Sequence, residues 1–389
     1  MTMSLQLAHP TPVPILGLGP QTKNTVCALR DATATVSDEH ADLDDADTYR
    51  VFVRTAERMR ELLGSDFIVA CDVHPTYASS RYARSLGRPV VEVQHHFAHA
   101  AGAAADAGVE APFIGVVCDG TGYGSDGRAW GGEVLICSGG EFARAAHLCY
   151  FPLPGGDAAV REPWRTGYAL ALAATRGAEI LGVMSGALRK VDRATLRLVE
   201  QQIRTGVNLP LSSSLGRLFD GVAFLLGLCG VSPAPGTAPG MLERAAAPAE
   251  ADRLYPPEIL TAGRTRLLDW RPLIAGLLRD RTAGQEVAQL AARFHATIAE
   301  MFARAAAAAA GDCGTDRVVL SGGCFFNARM RAELTRRLEI AGLQVAVPRR
   351  VSTGDAGVSL GQVVAAAHQC GARRTSGRGD LEHPFAASA

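Results

Sequence analysis

One pattern of strands and helices occurs twice in this chain, and it limits the possible folds more than any other feature. The first copy reads βββαβαβα, with β-like runs and one amphipathic helical stretch at 13–19, 25–30, 33–37, 47–63, 66–72 and 89–94. The pattern restarts near residue 113 with three strands, and after a long insertion the runs at 317–323 and 343–348 adjoin helices. Two such units predict two stacked α/β lobes whose strand ends face a shared cleft.

These units suggest a division into a first lobe at 1–110 and a second lobe at 111–389. An insertion at about 164–310 has mainly helical periodicity, with apolar residues at helical spacing from Val287 to Phe302. The segment "VSPAPGTAPG" (231–240) interrupts it and is interpreted as a Pro/Gly loop. From about residue 373 the sequence is polar, which is typical of a flexible tail.

Composition excludes several classes of function. Lysine plus arginine and aspartate plus glutamate both total 39, so no basic field favours a nucleic-acid partner. No uncharged run is long enough to cross a bilayer, and the N-terminus lacks the pattern of a secretory leader. The nine cysteines form no CxxC pair, so we expect reduced thiols and a cytoplasmic protein with no membrane partner.

Segments with polar or glycine residues follow three of the predicted strands: "ILGLGPQTKNT" supplies Lys23, Asn24 and Thr25, and the other two are glycine-rich. "VVCDGTGYG" supplies Gly120, Thr121 and Gly122 after Asp119, and "VVLSGGCFFN" supplies Ser321, Gly322, Gly323 and Asn327. Glycines of this kind let backbone N–H groups approach a phosphate, and a helix that follows the loop adds its positive end. Each loop taken alone is more often a plain tight turn. Neither a P-loop nor a complete dinucleotide motif is present.

The segment "VQHHFAHAAG" (93–102) places His95 and His99 four residues apart at the start of a predicted helix. Residues at this spacing share one helix face, so both imidazoles can reach one ion while His96 points elsewhere. An isolated pair of this kind is more often a cap or a core contact. Asp119 and Asp355 also follow predicted strands, and two facing lobes can bring them to the same point. Such a set suits Zn²⁺, Fe²⁺ or Mn²⁺ better than Mg²⁺ alone.

Several motifs together resemble the C-terminal half of the HypF carbamoyltransferases. They are "KNT", "HPTYASSRYA", "VQHHFAHAAG", "DGTGYGSDGRAWGGE", "PLPGGDAAVREPWR", "SSLGRLFD", "LSGGCFFN" and "GVSLGQ". The resemblance extends over almost the whole chain and implies a duplicated ASKHA (actin-like, RNase H-like) fold with an interlobe cleft and a mainly helical insertion. By the same resemblance, His95, His99, Asp119 and Asp355 match the family's metal ligands, and the two glycine-rich segments match its nucleotide loops.

The resemblance also implies an activity in NiFe-hydrogenase maturation. A carbamoyl group from carbamoyl phosphate passes through an ATP-dependent adenylate to the C-terminal cysteine of HypE, on the way to the iron cyanide ligands. The expected ligands are therefore a divalent metal, ATP, with Mg²⁺ on the nucleotide, and carbamoyl phosphate. The candidates for holding the donor are Lys23, Asp157, Arg161 and Arg165. The non-functional interpretation of Lys23 is an ordinary loop lysine, and that of the arginine pair is a solvent-exposed helix start.

The sequence departs from the family in two respects. The acylphosphatase, zinc-finger and YrdC-like regions of longer members are not found in it, and the segment before Glu243 differs from the family pattern. Three alternatives stay open: a tRNA threonylcarbamoyl transferase of the Kae1 type, a transfer or docking subunit that needs a separate adenylate-forming protein, and a metalloprotease. The absence of an HExxH motif disfavours the last.

Overall fold

The computed structural model describes residues 2–175, 188–189 and 191–376. Its first half contains six strands and three helices. In chain order they are β1 (Met3–Gln6), β2 (Ile15–Gly17), β3 (Cys27–Arg30), β4 (Thr33–Val36), α1 (Ala46–Glu61), β5 (Ile68–Asp72), α2 (Ala78–Ser85), β6 (Val90–Val93) and α3 (His95–Ala107). The strands form one sheet in the order β1-β4-β3-β2-β5-β6, in which β5 and β6 run parallel to β2.

The second half begins with an antiparallel meander and continues into the insertion. In chain order its elements are β7 (Phe113–Tyr123), β8 (Ala129–Ser138), β9 (Glu141–Leu148), β10 (Phe151–Pro152), α4 (Asp157–Arg161), α5 (Pro163–Ala174), α6 (Arg193–Thr205), β11 (Leu211–Ser212), α7 (Leu215–Leu225), α8 (Thr237–Ala246), β12 (Glu258–Ala262), β13 (Thr265–Asp269), α9 (Arg271–Thr282) and α10 (Val287–Cys313). Apolar faces of these helices form the largest core cluster, against one face of the second sheet.

The chain then returns to the second sheet. The remaining elements are β14 (Arg317–Ser321), α11 (Ala328–Ile340), β15 (Gln344–Ala346) and α12 (Val358–Ser376). The main path of this sheet is β12-β13-β9-β8-β7-β14-β15, and β14 runs parallel to β7. No helix within the described ranges combines the length and apolar character that a bilayer crossing needs.

Helices α3 and α12 lie between the two sheets and cross each other at very short range. α3 packs on β7, β8 and β14, whereas α12 packs on β2, β3 and β5. A Cβ atom added to Gly361 would lie 1.7 Å from the carbonyl oxygen of Ala98, and one added to Gly102 would lie 2.8 Å from that of Gly357. Only glycine therefore fits at this crossing. The crossing brings the first turn of α3 beside the turn that precedes α12.

The predicted duplicated α/β architecture is confirmed, and three local predictions need correction. β1 was not predicted, because the apolar alternation in "MSLQ" is only four residues long, and the strand is held by pairing with β4. β12 and β13 lie within the insertion, where β13 extends the second sheet beside β9. The predicted loop at 231–240 is wrong in its second half, because α8 begins at Thr237 after Gly236 in the left-handed region and tolerates Pro239 in its first turn. The predicted tail from 373 lies largely outside the described residues.

Candidate metal centre

Four side chains from three parts of the fold meet at the cleft between the sheets. His95 and His99 project from the first turns of α3, Asp119 lies on β7, and Asp355 lies in a single 3₁₀ turn before α12. One ligand atom from each lies within 4.8 Å of the others. The structure thus brings together the four residues that the sequence indicated as metal ligands.

The distances within this cluster fit a small divalent cation. The Nε2 atom of His95 is 3.6 Å from Asp119 Oδ2, and the Nε2 atom of His99 is 3.4 Å from Asp355 Oδ1. Ligand atoms about 2 Å from one ion lie roughly 3–3.5 Å apart. The two shortest pairs are close to this spacing, and the wider pairs, which lie within 4.8 Å, would move closer around an ion. Both Nε2 atoms are buried and have no hydrogen-bond partner among the described residues. Buried nitrogen atoms without a partner are costly, and a metal ion would satisfy both.

Each carboxylate of the cluster has one oxygen held by the protein. The backbone N–H of Gly323 donates to Asp119 Oδ1 over 2.9 Å, and the hydroxyl of Thr22 donates to Asp355 Oδ2 over 3.2 Å. The opposite oxygens, Asp119 Oδ2 and Asp355 Oδ1, face the histidines. This arrangement orients the free oxygens toward one point before any ion binds.

Asp72, which was not singled out from the sequence, orients His95. It ends β5 and is fully buried, and its Oδ2 atom lies 2.7 Å from Nδ1 of His95. Its Oδ1 atom accepts the backbone N–H of His74 over 2.9 Å. Nδ1 of His95 is therefore the donor in this pair, and Nε2 is directed into the cluster. A carboxylate behind a ligating histidine is a common second layer of metal sites. The sequence feature that could have indicated Asp72 is its position as a charged residue at the end of the mainly apolar run "DFIVACD".

We predict that Asp72→Asn lowers metal affinity by about 10- to 100-fold, the range seen when such an outer carboxylate is lost. The amide removes the negative charge behind His95 and weakens the hold on its ring. Competition with a chromophoric chelator measures the affinity. Asp269→Asn is the matched control, because Asp269 is a buried carboxylate that pairs with Arg271. Equal metal affinity in both variants would contradict a role for Asp72.

Electrostatics within the cluster favour the ionised form of Asp119. Burial lowers the pKa of His95, but Asp119 and Asp72 outweigh that effect and raise the pKa well above its usual value. Burial raises the pKa of Asp119, and the neighbouring histidines reverse this and hold it far below its usual range. Burial lowers the pKa of His96 to about 3, so this imidazole is neutral. The negative charge of the cluster therefore suits a cation, which would displace a proton from His95.

The segment 119–122 is not the strand-to-helix loop that the sequence suggested. It continues β7 into a hairpin with β8, with a bulge between Cys118 and Gly122, and no helix follows it. A Cβ atom on Gly122 would lie 2.5 Å from the His95 ring, so this glycine makes room for the histidine. Thr121 is exposed, and Gly120 faces the start of α7, a helix about 95 residues later in the chain. Phosphate contact at these residues stays a prediction.

Several polar groups of residues 321–327 form hydrogen bonds or close contacts with other residues of the chain. The hydroxyl of Ser321 lies 3.4 Å from Nδ1 of His99, and the N–H of Gly322 donates to the carbonyl of Thr353. Gly322 has φ of 107° and no space for a side chain beside Cys118. Asn327 caps α11 by accepting the N–H of Met330, and its amide nitrogen lies 3.1 Å from His295. These residues support the cluster, and their predicted contact with a nucleotide stays untested.

The four residues predicted to hold the donor lie in different settings. Lys23 is exposed, follows Thr22, and has its amine 5.6 Å from the centre of the Phe326 ring. Asp157 begins α4 and is exposed, as is Arg161 at the end of that helix. Arg165 is buried on α5, where its Nε atom donates to Glu162 over 2.7 Å. Lys23 is therefore the one linked most directly to the cluster, through its neighbour Thr22.

Comparison with known proteins matches both halves of the chain to one family. The family model described as "HypF Kae1-like domain" matches residues 10–106, and the model described as "Carbamoyltransferase, Kae1-like Domain, second subdomain" matches residues 115–362. The chain is 39% identical to the "Carbamoyltransferase HypF homolog" of Cupriavidus necator over 366 residues, which cover 92% of each chain. It is 35% identical to the "Carbamoyltransferase HypF" of Rhizobium leguminosarum bv. viciae, covering 90% of this chain and 44% of that relative.

A solved structure agrees with this match. The crystal structure of full-length HypF in the phosphate- and nucleotide-bound form superposes with a TM-score of 0.87 and 33% identity. The superposition covers 94% of this chain and 47% of that one. The chain thus spans about half the length of the longer proteins that it matches, and nearly the full length of the Cupriavidus necator relative.

Proposed function

The chain belongs to the HypF carbamoyltransferase family, and we propose that it transfers a carbamoyl group to the C-terminal cysteine of HypE during NiFe-hydrogenase maturation. In this proposal carbamoyl phosphate supplies the group, and ATP converts it to a carbamoyl-adenylate with release of phosphate and pyrophosphate. The acceptor thiolate then attacks the carbamoyl carbon and AMP leaves. The solved HypF structure that resembles this chain is described as phosphate- and nucleotide-bound, which supports ligands of these two classes. The proposed reaction takes place in the cytoplasm.

The observation that carries the proposal is the cluster of two imidazoles without hydrogen-bond partners and two oriented carboxylates in the cleft. A carbamoyl carbon is a weak electrophile, because the nitrogen lone pair feeds into its carbonyl group. When bound by His95, His99, Asp119 and Asp355, a divalent cation such as Zn²⁺, Fe²⁺ or Mn²⁺ would polarise that carbonyl oxygen or neutralise a phosphate. The buried position of the cluster supports a further function of the cleft, which is to shield a hydrolysable adenylate from water.

The thiols nearest to the cluster are poor candidates for the nucleophile. Cys118 and Cys324 flank Asp119, and desolvation together with the charge of that carboxylate raises the pKa of both thiols well above the usual value. The thiolate is the reactive form of cysteine, so these side chains stay unreactive near neutral pH. All nine cysteines lie in the described part of the chain, and each is free. This supports an acceptor thiol that a partner such as HypE brings into the cleft.

Among the donor-binding candidates, the contacts favour Lys23. It lies beside Thr22, which holds Asp355, and its exposed amine is free to meet a phosphate at the cleft rim. Asp157 and Arg161 are exposed on α4, and we propose that they contact the donor from the opposite lobe. Arg165 is engaged by Glu162, so we propose that it stabilises the α4–α5 corner and acts on the donor indirectly.

The test is the transfer of radiolabelled carbamoyl phosphate to purified HypE by this chain with ATP. We expect stable label on HypE that depends on the chain and on ATP. HypE with its C-terminal cysteine changed to alanine is the matched acceptor control and should stay unlabelled. Labelling that requires a second, adenylate-forming protein would favour the transfer-subunit alternative, and label on tRNA would favour the Kae1-type alternative. Absence of label on HypE under all of these conditions would contradict the proposal.

A further inference from the structure

Arg217, in the first turn of α7, is buried with hydrogen-bonding capacity that the protein does not use. The residue is only 6% exposed. Its Nη2 atom lies 3.0 Å from Asp220 Oδ2, whereas Nε and Nη1 have no partner among the described residues. A buried guanidinium with two unused donors is costly, so a ligand that accepts hydrogen bonds from it would be bound favourably.

The start of α7 directly adjoins the metal centre. Ser214 caps the helix by accepting the N–H of Arg217, and its hydroxyl donates to the backbone carbonyl of Asp119 over 3.1 Å. A Cβ atom on Gly216 would lie 2.9 Å from the Cα atom of Gly120. The first N–H groups of a helix lack intrahelical partners and carry partial positive charge. The positive end of α7 therefore lies next to the metal ligand Asp119.

Arg217 and Asp119 also have a common neighbour, Cys324. The thiol of Cys324 lies within electrostatic range of both Asp119 and Arg217. Cys324 directly follows Gly323, whose backbone N–H donates to Asp119. The guanidinium and the Asp119 carboxylate therefore both lie near the segment 323–324.

Unused hydrogen-bond donors, more than net charge, favour an anion beside the cluster. The negative charges of Asp119 and Asp355 would offset the two positive charges of a bound divalent cation. The N–H groups of Gly322 and Gly323 already donate to Thr353 and Asp119, so they are not free for a phosphate. Arg217, whose charge is partly offset by Asp220, and the end of α7 supply the free donors.

We propose that Arg217 and the N-terminus of α7 form a phosphate-binding subsite for the nucleotide that binds at the metal centre. This inference rests on the proposed function, because the nucleotide is part of that proposal. Nε and Nη1 would each donate to phosphate oxygens, while Nη2 stays paired with Asp220. The ligand class is a phosphate ester or free phosphate, and the subsite does not select the base.

Calorimetry on the full chain tests this subsite with ATP, adenosine and inorganic phosphate as separate probes. Arg217→Gln should weaken ATP binding by about 10- to 100-fold, the range for lost charge-assisted hydrogen bonds, and should weaken phosphate binding similarly. Adenosine affinity and metal content should match those of the wild type, because neither depends on the Arg217 guanidinium.

Two further variants separate binding from stability. Arg217→Gln leaves Asp220 buried without its partner, so Arg217→Gln/Asp220→Asn replaces the pair with two neutral amides and should be better folded while still binding phosphate weakly. Arg293→Gln is the matched control, since this buried arginine has all three guanidinium nitrogens occupied by Asp252 and Asp280. It should lower stability and retain ATP affinity.

The outcomes distinguish this inference from the proposed function. Wild-type ATP affinity in the folded double variant would overturn the Arg217 assignment and leave the transferase proposal intact. A wild-type chain that binds inorganic phosphate but not ATP, with phosphate binding lost in Arg217→Gln, would support the subsite. The same result would contradict the nucleotide part of the proposed function. A wild-type chain that binds neither ATP nor phosphate would overturn the subsite.

Discussion

Replacing His95 and His99 together with alanine should reduce metal affinity by more than about 100-fold and abolish carbamoyl transfer. The two imidazoles supply the only nitrogen ligands of the four-residue cluster, and both Nε2 atoms are buried without a hydrogen-bond partner among the described residues. The remaining carboxylates, Asp119 and Asp355, form a weaker site for a transition metal than the mixed set does. Elemental analysis of the purified variant measures the loss.

His96→Ala is the matched control for this double variant. His96 is also buried, and its Nε2 atom likewise has no partner in the described part of the chain, but it is outside the four-residue cluster: its Nδ1 atom contacts the Gln94 amide and its ring lies near Trp130. We expect this control to retain its metal. Circular dichroism must show that both variants are folded. One equivalent of tightly bound metal in the folded double variant would refute the assignment.

Replacing Gly361 with alanine should destabilise the protein by about 3 kcal/mol and lower metal affinity at the same time. A methyl group there would lie 1.7 Å from the carbonyl oxygen of Ala98, so α3 and α12 must separate. His99 lies one residue beyond Ala98 on α3, and Asp355 precedes α12. Separation of the helices would therefore move two of the proposed metal ligands apart. Chemical denaturation and chelator competition measure the two effects.

Gly311→Ala is the control for the substitution at Gly361. Gly311 also lies within a helix, α10, and a Cβ atom added there would have no atom within 4 Å. Alanine at this position should change stability by no more than about 1 kcal/mol, in the stabilising direction, through helix propensity. Equal stability and metal affinity in the two variants would show that the α3–α12 crossing does not control the site.

The parts of the site that local sequence encodes were predictable. The spacing of His95 and His99 requires only that the segment be helical, and Gln94 caps that helix by accepting the N–H of Phe97. Asp119 and Asp355 were indicated by their positions after predicted strands, and the fold places both at the cleft. The periodicity of a strand or a helix is a local property, so these predictions needed no long-range contact.

The contacts between distant parts of the chain were not predictable from pattern. The glycines at 322–323 have the composition of a phosphate loop, but their N–H groups donate to Thr353 and Asp119, which no local rule indicates. Asp72 appeared as the polar end of a buried strand, and its function depends on the rotation of His95 toward it. Arg217 is significant only because two of its nitrogens are buried without partners, which is a property of packing.

The most direct test of the account is metal reconstitution with transfer as the readout. The chain is treated with a chelator until transfer of label to HypE stops, and Zn²⁺, Fe²⁺ or Mn²⁺ is then added in fractions of an equivalent. The account predicts that transfer rises in proportion to bound metal and reaches its maximum at one ion per chain. If elemental analysis shows that the metal has been removed and the chain still transfers label at the full rate, the metal is not required and the central claim is contradicted.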